Sequence, residues 1–435
     1  MKMMYYVNFS RNIFCFLCVF IFINSTVCAQ VKNLDYFISE GLKNSPGLHE
    51  INNLERYFKF QNDLINAQNK KPQISFSADY LLSPFFFDNG RAVSITPNPS
   101  AKAYGYDAAI SNGGLYAAQV NVALPLFNTA ILKRLFEQNQ IQSDISSFGK
   151  KQIEHDLEKT IADQYIITYE FHQQMDYQQK IIDQLESRKP LIAALVKQGL
   201  MQQNDFLLLD IQLSASKNDL KQLEFAYRNG VAILKNLAVI RDTSIYNLAT
   251  PVITMNVPPD EFNYVQKFRL DSLNLAVQEK VFDTRYRPQV SFLGSTGING
   301  SDFNNLYRNF GLAAGIHLSV PISDGHQRKL FHEQNKILME NQQIFFDNAS
   351  ALLQNNLRDA KIRIEQSRQT IEMLKDPIER QELLINMIRD KVVKGQVSVL
   401  EFVNALQEYA TLQKNKTLAE TNLLLSINQF NYYNW

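Results

Sequence analysis

Four stretches of the chain alternate apolar and polar residues with a period of two. From Gln73, one face carries Ile74, Phe76, Ala78, Tyr80 and Leu82, and the other Gln73, Ser75, Ser77 and Asp79. Tyr116, Ala118, Val120, Val122 and Leu124 alternate with Ala117, Gln119, Asn121 and Ala123. Val290, Phe292, Thr296 and Ile298 alternate with Gln289, Ser291 and Ser295, and Phe310 to Val320 alternate with Gly311, Ala313, Gly315, His317 and Ser319. The pattern predicts strands over 73–82, 115–125, 289–298 and 310–321. Most of the remainder predicts helix, over 34–70, 128–196, 204–240, 262–286, 326–393 and 398–433. Residues 241–261 form a break that holds Pro251, Pro258 and Pro259. Only Gly149 and Pro190 interrupt 128–196, and only Pro377 interrupts 326–393. Each of these helices would span roughly 100 Å. Their apolar stripe is narrow, as in Ile141, Ile145, Phe148, Ile153, Leu157 and Ile161. A thin stripe on a long polar helix suits a coiled-coil-like wall better than a globular core. At a common rise per residue, two short helices end to end would pair with one long one.

The elements repeat. Pro72-Gln73-Ile74-Ser75-Phe76 returns as Pro288-Gln289-Val290-Ser291-Phe292. Leu124-Pro125-Leu126 returns as Val320-Pro321-Ile322, and Glu137-Gln138-Asn139 as Glu333-Gln334-Asn335. Gly199 before Asp205-Phe206 returns as Gly395 before Glu401-Phe402. The last three pairs share an offset of 196, whereas the first lies at 216. The first copy therefore carries 20 extra residues after its Pro-Gln pair. Ser83-Pro84, Asp88-Asn89-Gly90 and Pro97-Asn98-Pro99 mark that insertion as a surface loop. A period this long excludes a solenoid.

Alternation over about 10 residues is the length of a tilted membrane strand. An ordinary half-buried sheet alternates equally well. Two features favour the membrane: the second face is small and polar, and Tyr80, Phe85, Phe86, Phe87, Tyr104 and Tyr106 cluster near strand ends, where aromatic girdles belong. Four strands cannot close a barrel, and an open edge in lipid leaves backbone groups unsatisfied. A membrane reading therefore needs several chains. Two would give eight strands and three twelve, and periodicity does not choose.

Composition adds a compartment. Lys2 and Arg11, the apolar run from Ile13 to Ile23, and Val27-Cys28-Ala29 read as a signal peptide over 1–29. Cys28 as a lipidated cysteine stays open. Cys15, Cys18 and Cys28 all lie within the signal, so the mature chain has no thiol for a disulfide, thiolate metal site or nucleophile. Without Lys2 and Arg11, 42 basic residues face 43 acidic ones, which gives no electrostatic case for nucleic acid. No later stretch is long and apolar enough for a membrane helix.

Candidate chemistry is sparse. His332-Glu333 begins like a zinc-protease motif, but Lys336 stands where the second histidine belongs. Gly294, Gly297 and Gly300 imitate a phosphate loop, yet they lie within and just after the strand over 289–298 with no helix opening behind them, and a strand leading into a turn between strands fits better. No Ser, His and acid cluster suggests a triad. No catalytic residue, metal or cofactor is expected. Gly199 and Gly395 read as helix caps or as reversing turns at a tip. Asp205 and Glu401 suit first-turn positions on the helix dipole. Pro190 and Pro377 would kink their helices near those turns.

The ordered set resembles the TolC family of outer-membrane efflux channels, over the whole mature chain. Leu42-Lys43-Asn44-Ser45-Pro46 resembles the family's early asparagine-proline, with a serine inserted. Leu124 to Phe127 and Val320 to Gly325 resemble its strand-to-helix turns at Pro125 and Pro321. Gly199-Leu200 and Gly395-Gln396 resemble its periplasmic tip turns, where an adaptor would dock. The resemblance implies an α+β membrane protein of two structural repeats, 30–241 and 242–435, each a β-hairpin plus long helices. It implies a homotrimer whose twelve-stranded barrel sits in outer-membrane lipid and continues as a periplasmic α-helical barrel. Partners would be a periplasmic adaptor (membrane fusion) protein and an inner-membrane pump, and the chain itself a passive conduit for efflux or secretion. The family's acidic mouth falls on Glu401. Its second carboxylate is replaced by Asn404, and Asp205 holds the first-copy position, so the family's double acidic ring is not matched. The alternative is a non-conducting, periplasm-spanning coiled coil of structural or adhesin-like type. Cargo is not legible.

Overall fold

The computed structural model describes residues 31–81, 83–96, 99–105, 116–244, 246–259, 261–300 and 305–435. The expected signal peptide over 1–29, and Leu82, Tyr106 and Leu115, lie outside them. A short β1 (Val31–Lys32) leads to α1 (Leu34–Asn44) and α2 (Pro46–Lys70). Then come β2 (Gln73–Tyr80), β3 (Phe85–Asp88), β4 (Arg91–Ser94), β5 (Tyr116–Leu126), α3 (Thr129–Lys197) and α4 (Gln203–Leu237). The chain continues through β6 (Asn247–Leu248), α5 (Asn263–Asp283), β7 (Gln289–Gly300), β8 (Phe310–Ser319), α6 (Gln327–Val393) and α7 (Val399–Tyr433). Strand, strand, long helix and 35-residue helix thus occur twice in that order.

Several boundaries differ from the pattern's reading. The expected helix over 34–70 is two helices, because Ser45 is extended (φ −60°, ψ 121°), as the residue before a proline prefers. Pro125 sits inside β5, opposite Ser291, so the chain turns only after Leu126, at Phe127 with φ 55°. Pro321 lies beyond β8 rather than within it. Gly294 and Gly297 lie within β7 as the strand over 289–298 predicts, and the strand runs two residues further, to Gly300, which belongs to it and not to a turn. At Gly297 (φ +150°) a Cβ would run into the Ala118 carbonyl of β5, so close strand approach explains this glycine. Pro190 and Pro377 both lie inside unbroken helices. The paired β1 and β6, two residues each, are too short to leave a periodic signal.

Two compact units form, and they cut across the sequence halves. One takes the described residues of Met1–Leu48, Ile153–Asp260 and Gln354–Trp435. Its cores are helix-on-helix. Ile181, Leu185 and Ile192 of α3 meet Leu209 of α4, Ile385 and Val392 of α6, and Val399, Phe402 and Leu406 of α7. A second core gathers Phe37, Ile161, Tyr165, Tyr227, Leu234 and Tyr246. There the Tyr165 hydroxyl donates to the carbonyls of Lys32 (3.0 Å) and Ala249 (2.6 Å), which ties the β1–β6 pair to α3. Lys235, almost wholly buried, donates to the Asp242 carboxylate and the Ser244 carbonyl. Burial pushes the Asp242 carboxyl up, but Lys235, Tyr246 and Ser244 outweigh it and bring it down to about 2.

The other unit takes His49–Gln152 and Glu261–Leu353. Its main sheet is antiparallel, in the order β2-β5-β7-β8. The helices beneath are joined by a repeated polar contact. The Asn139 amide donates to the Phe58 carbonyl and to Asn62, both at 2.8 Å. The Asn335 amide, 196 residues on, donates to the Leu275 carbonyl (3.3 Å) and the Glu279 carboxylate (2.9 Å). Both asparagines are buried. Each joins its long helix to the short helix that precedes the sheet, and the fixed offset in the sequence marks this contact.

Two expectations follow. Asn139→Ala removes two neutral bonds, each worth about 0.5–1.5 kcal/mol, and Asn335→Ala one neutral bond and one charge-assisted bond, the latter about 1.5–3 kcal/mol. Thermal midpoints should fall in both and further in Asn335→Ala; an unchanged pair would show the contacts to be incidental. The Asp242 carboxyl is depressed in the folded chain, so its stabilisation is complete above the ordinary value of 3.8 and is lost as pH falls toward about 2. Acid unfolding of Asp242→Asn should therefore show a weaker pH dependence across that window.

Candidate functional site

Two features of the sequence pointed to function, the sheet and the helical turns, and each unit holds one. In the sheet, strand register sorts the side chains by face. Ile74 aligns with Val122, Gly294 and Ala314, and Phe76 with Val120, Thr296 and Leu312. Ala78, Ala118, Ile298 and Phe310 make the next row, and Leu124, Phe292 and Ile316 another. The opposite face runs Ser75, Asn121, Ser295 and Ala313, then Ser77, Gln119, Gly297 and Gly311. On that face the Asn121 amide donates to the Ser77 hydroxyl at 2.9 Å.

The apolar face is bare. Ile74 and Phe76 are each 70% exposed, Leu312 84%, Ile316 74% and Leu318 62%. Every residue of β8 is exposed on both faces. Among the described residues no private core covers this face, as a half-buried sheet in water would require. β2 and β8 are its two edges. Tyr80 and Tyr116 close one end, with rings 5.3 Å apart. Phe85, expected in the same girdle, is instead buried within the inserted hairpin.

At the opposite end of β8, Asp324 caps α6. Its carboxylate accepts from the N–H groups of His326 (2.9 Å) and Arg328 (2.8 Å). The Tyr286 hydroxyl, with those amides, holds this carboxyl below its ordinary range. His332, the start of the zinc-like motif, lies between Glu279 and Asp283 of α5, with its Nε2 3.2 Å from Asp283. It is a helix-pairing residue, and no group of three metal-ligating side chains occurs among the described residues.

The two glycine turns share one backbone design. The Gly199 N–H donates to the Val196 carbonyl (3.0 Å) and the Leu200 N–H to Leu195 (2.9 Å). The Gly395 N–H donates to Val392 and the Gln396 N–H to Lys391, both at 3.0 Å. These are paired Schellman caps, with φ +73° and +68° at the glycines. The cap reading of both glycines thus holds in the backbone geometry. Met201 and Phe206 beside the first turn and Val397 beside the second pack on one core. Leu200 and Gln396 remain exposed at the turns.

The acidic candidates differ from one another. The Asp205 carboxylate accepts from the Gln202 N–H at 3.2 Å, as a first-turn cap, and is half-buried. At α7 the cap is Ser398, whose hydroxyl accepts from the Glu401 N–H at 3.2 Å. That leaves the Glu401 carboxylate exposed and without an ion-pair partner among the described residues. Asn404 shares its face, while Phe402, Val403, Ala405 and Leu406 point into the core.

No family model matches the sequence, and no curated protein matches it. Solved structures do match. OprN, an outer-membrane channel, superposes with a TM-score of 0.70 at 13% identity, over 92% of this chain and 89% of its own. CusC, described with its folding and transmembrane channel formation, gives 0.71 at 11%, over 92% and 91%. VceC, an outer-membrane protein of Vibrio cholerae, gives 0.67 at 11%, over 92% and 96%. Across nearly its whole described length, this chain has the fold of the TolC-type outer-membrane channels.

Proposed function

We propose that the chain is the outer-membrane channel of a tripartite efflux or secretion system, a passive homotrimeric conduit. The observation that carries this reading is the four-stranded sheet: apolar and bare on one face, small and polar on the other, and unpaired at both edges. Three copies joined edge to edge would give twelve strands and leave no edge. The apolar face would meet lipid, and Ser75, Ser77, Gln119, Asn121 and Ser295 would line a wet lumen.

The helical unit supplies the periplasmic part. No helix among the described residues is long and apolar enough to cross a membrane. The Gly199 and Gly395 turns, with Leu200 and Gln396 beside them, would be the surface offered to a periplasmic adaptor. An inner-membrane pump would supply energy and substrate choice. The exposed, unpaired Glu401 makes the better gate candidate of the two acids, since Asp205 is committed to its cap. Three Glu401 carboxylates would form a single ring, with Asn404 neutral one turn on.

The purified protein should fractionate with the outer membrane and migrate differently on gels before and after boiling. A soluble monomer would instead support the coiled-coil structural reading. In planar bilayers it should form small, cation-selective pores, and Glu401→Ala should weaken their block by multivalent cations, whereas Asp205→Ala should change the block less. Equal block in the parent and Glu401→Ala would remove the gate from this residue.

A further inference from the structure

The 20 extra residues of the first copy do not form a featureless loop. β3 and β4 pair with Phe85 opposite Ser94, Phe86 opposite Val93 and Asp88 opposite Arg91. Phe86 pairs on its other side with Tyr104, through backbone bonds of 2.7 and 2.9 Å. The result is a two-stranded hairpin, bridged at Tyr104, with two unlike faces. One face is closed. Phe85 is buried, and the absence of a side chain at Gly105 lets its ring lie against the backbone there. Asp88, also buried, accepts from the Ser94 hydroxyl (2.9 Å) and the Ser100 N–H (2.7 Å).

The other face is open and apolar. Val93, Phe86 and Tyr104 stand in one cross-strand row. Phe87, at φ 58°, meets the edge of Tyr104 at 6.3 Å, and Ile95 extends the patch. All five side chains are exposed, from 45% at Phe86 to 71% at Tyr104. A structure this small orders itself with Phe85, Asp88 and Ser94, yet leaves its largest aromatics outside. Chain continuity says what meets them. Phe85 is five residues from Tyr80, a tether of at most roughly 18 Å. Tyr80 belongs to the Tyr80–Tyr116 pair that ends the bare apolar face of the main sheet. Phe and Tyr with cationic Arg91 and Lys102 nearby match the headgroup zone, where ring and polar tip are both satisfied.

We infer that this hairpin is a lipid-surface anchor: Phe86, Phe87, Val93, Ile95 and Tyr104 rest in the headgroup region of the membrane that the sheet spans. The inference rests on the channel reading above. It extends that reading to a segment that the second copy lacks, and it gives the three-chain barrel three grips on the bilayer, one hairpin per subunit.

The test uses the full chain with Trp435→Phe, reconstituted in phosphatidylcholine vesicles whose acyl chains carry bromine close to the headgroup. Single tryptophans are placed by Phe86→Trp, Tyr104→Trp and, on the main sheet, Leu312→Trp. Rings seated at the headgroup level should lose on the order of half their emission in the hairpin variants and stay shielded from aqueous iodide. If Leu312→Trp is quenched by bromolipid while both hairpin tryptophans are quenched only by iodide, the anchor is refuted and the channel reading stands. Hairpin tryptophans shielded from both quenchers, with Phe86→Cys cross-linking between subunits, would make a second copy the occupant and equally refute the anchor. Failure of bromolipid to quench Leu312→Trp would overturn the barrel, and the anchor with it.

Discussion

A β-sheet edge in hydrocarbon must find a partner, because each unpaired N–H or C=O there costs several kcal/mol. β8 contributes ten residues to one edge of the sheet, and about half of its backbone groups face away from β7. Their combined cost in lipid exceeds the roughly 5–15 kcal/mol by which whole domains are stable. The bare face pulls the other way. Ile74, Phe76, Leu312, Ile316 and Leu318 each gain about 1.5–3 kcal/mol on leaving water. A single copy is thus unfavourable in lipid by its edges and in water by its face. Closure with further copies relieves both, and it is this conflict, more than any one residue, that supports a shared barrel.

The helical unit solves a milder problem. Its helices carry narrow apolar stripes, so packing alone holds them weakly. Dense clusters therefore appear where α3, α4, α6 and α7 converge near the glycine turns. Elsewhere polar contacts fix alignment: Gln178 donates to the Ser216 carbonyl at 3.1 Å, and Asn428 to the Lys159 carbonyl at 3.1 Å and to Asp163 at 2.8 Å. A buried amide tolerates no slip along the neighbouring helix, because its acceptor is a particular carbonyl. Asn139 and Asn335 apply the same device in the other unit.

Much of this was legible because it follows from periodicity. Strand faces, long helices and the two turns come from period two, period 3.6 and a fixed offset. What escaped was set by contacts distant in sequence. Nothing local says that Phe85 is buried while Phe86 is exposed, since both sit in one aromatic run; the split follows from pairing with Ser94 and Tyr104. Gly297 read as a strand residue, but the reason for a glycine there, the Ala118 carbonyl on another strand, leaves no local sign. Asp205 and Glu401 looked equivalent at their offset. They diverge because Ser398 caps α7, whereas at Gln202 the cap falls to Asp205 itself. Asn139 and Asn335 were visible as landmarks, with a role that only their partners reveal.

The low identity to the matching channels, 11–13%, is what such a design allows. Lipid asks of a strand face only that it be apolar, and a wet face only that it be small and polar. Neither demand names a residue. Demands for one residue arise where backbone geometry is extreme: the left-handed Gly199 and Gly395, and the crowded Gly297. They also arise where a single amide must reach a single carbonyl, as at Asn139. Between such points the chain is constrained in pattern rather than in identity. A likeness of fold in this architecture therefore persists in the order and spacing of elements where residue matches are few. The same freedom lets a surface hairpin be added to one repeat without disturbing the register of the four strands beside it.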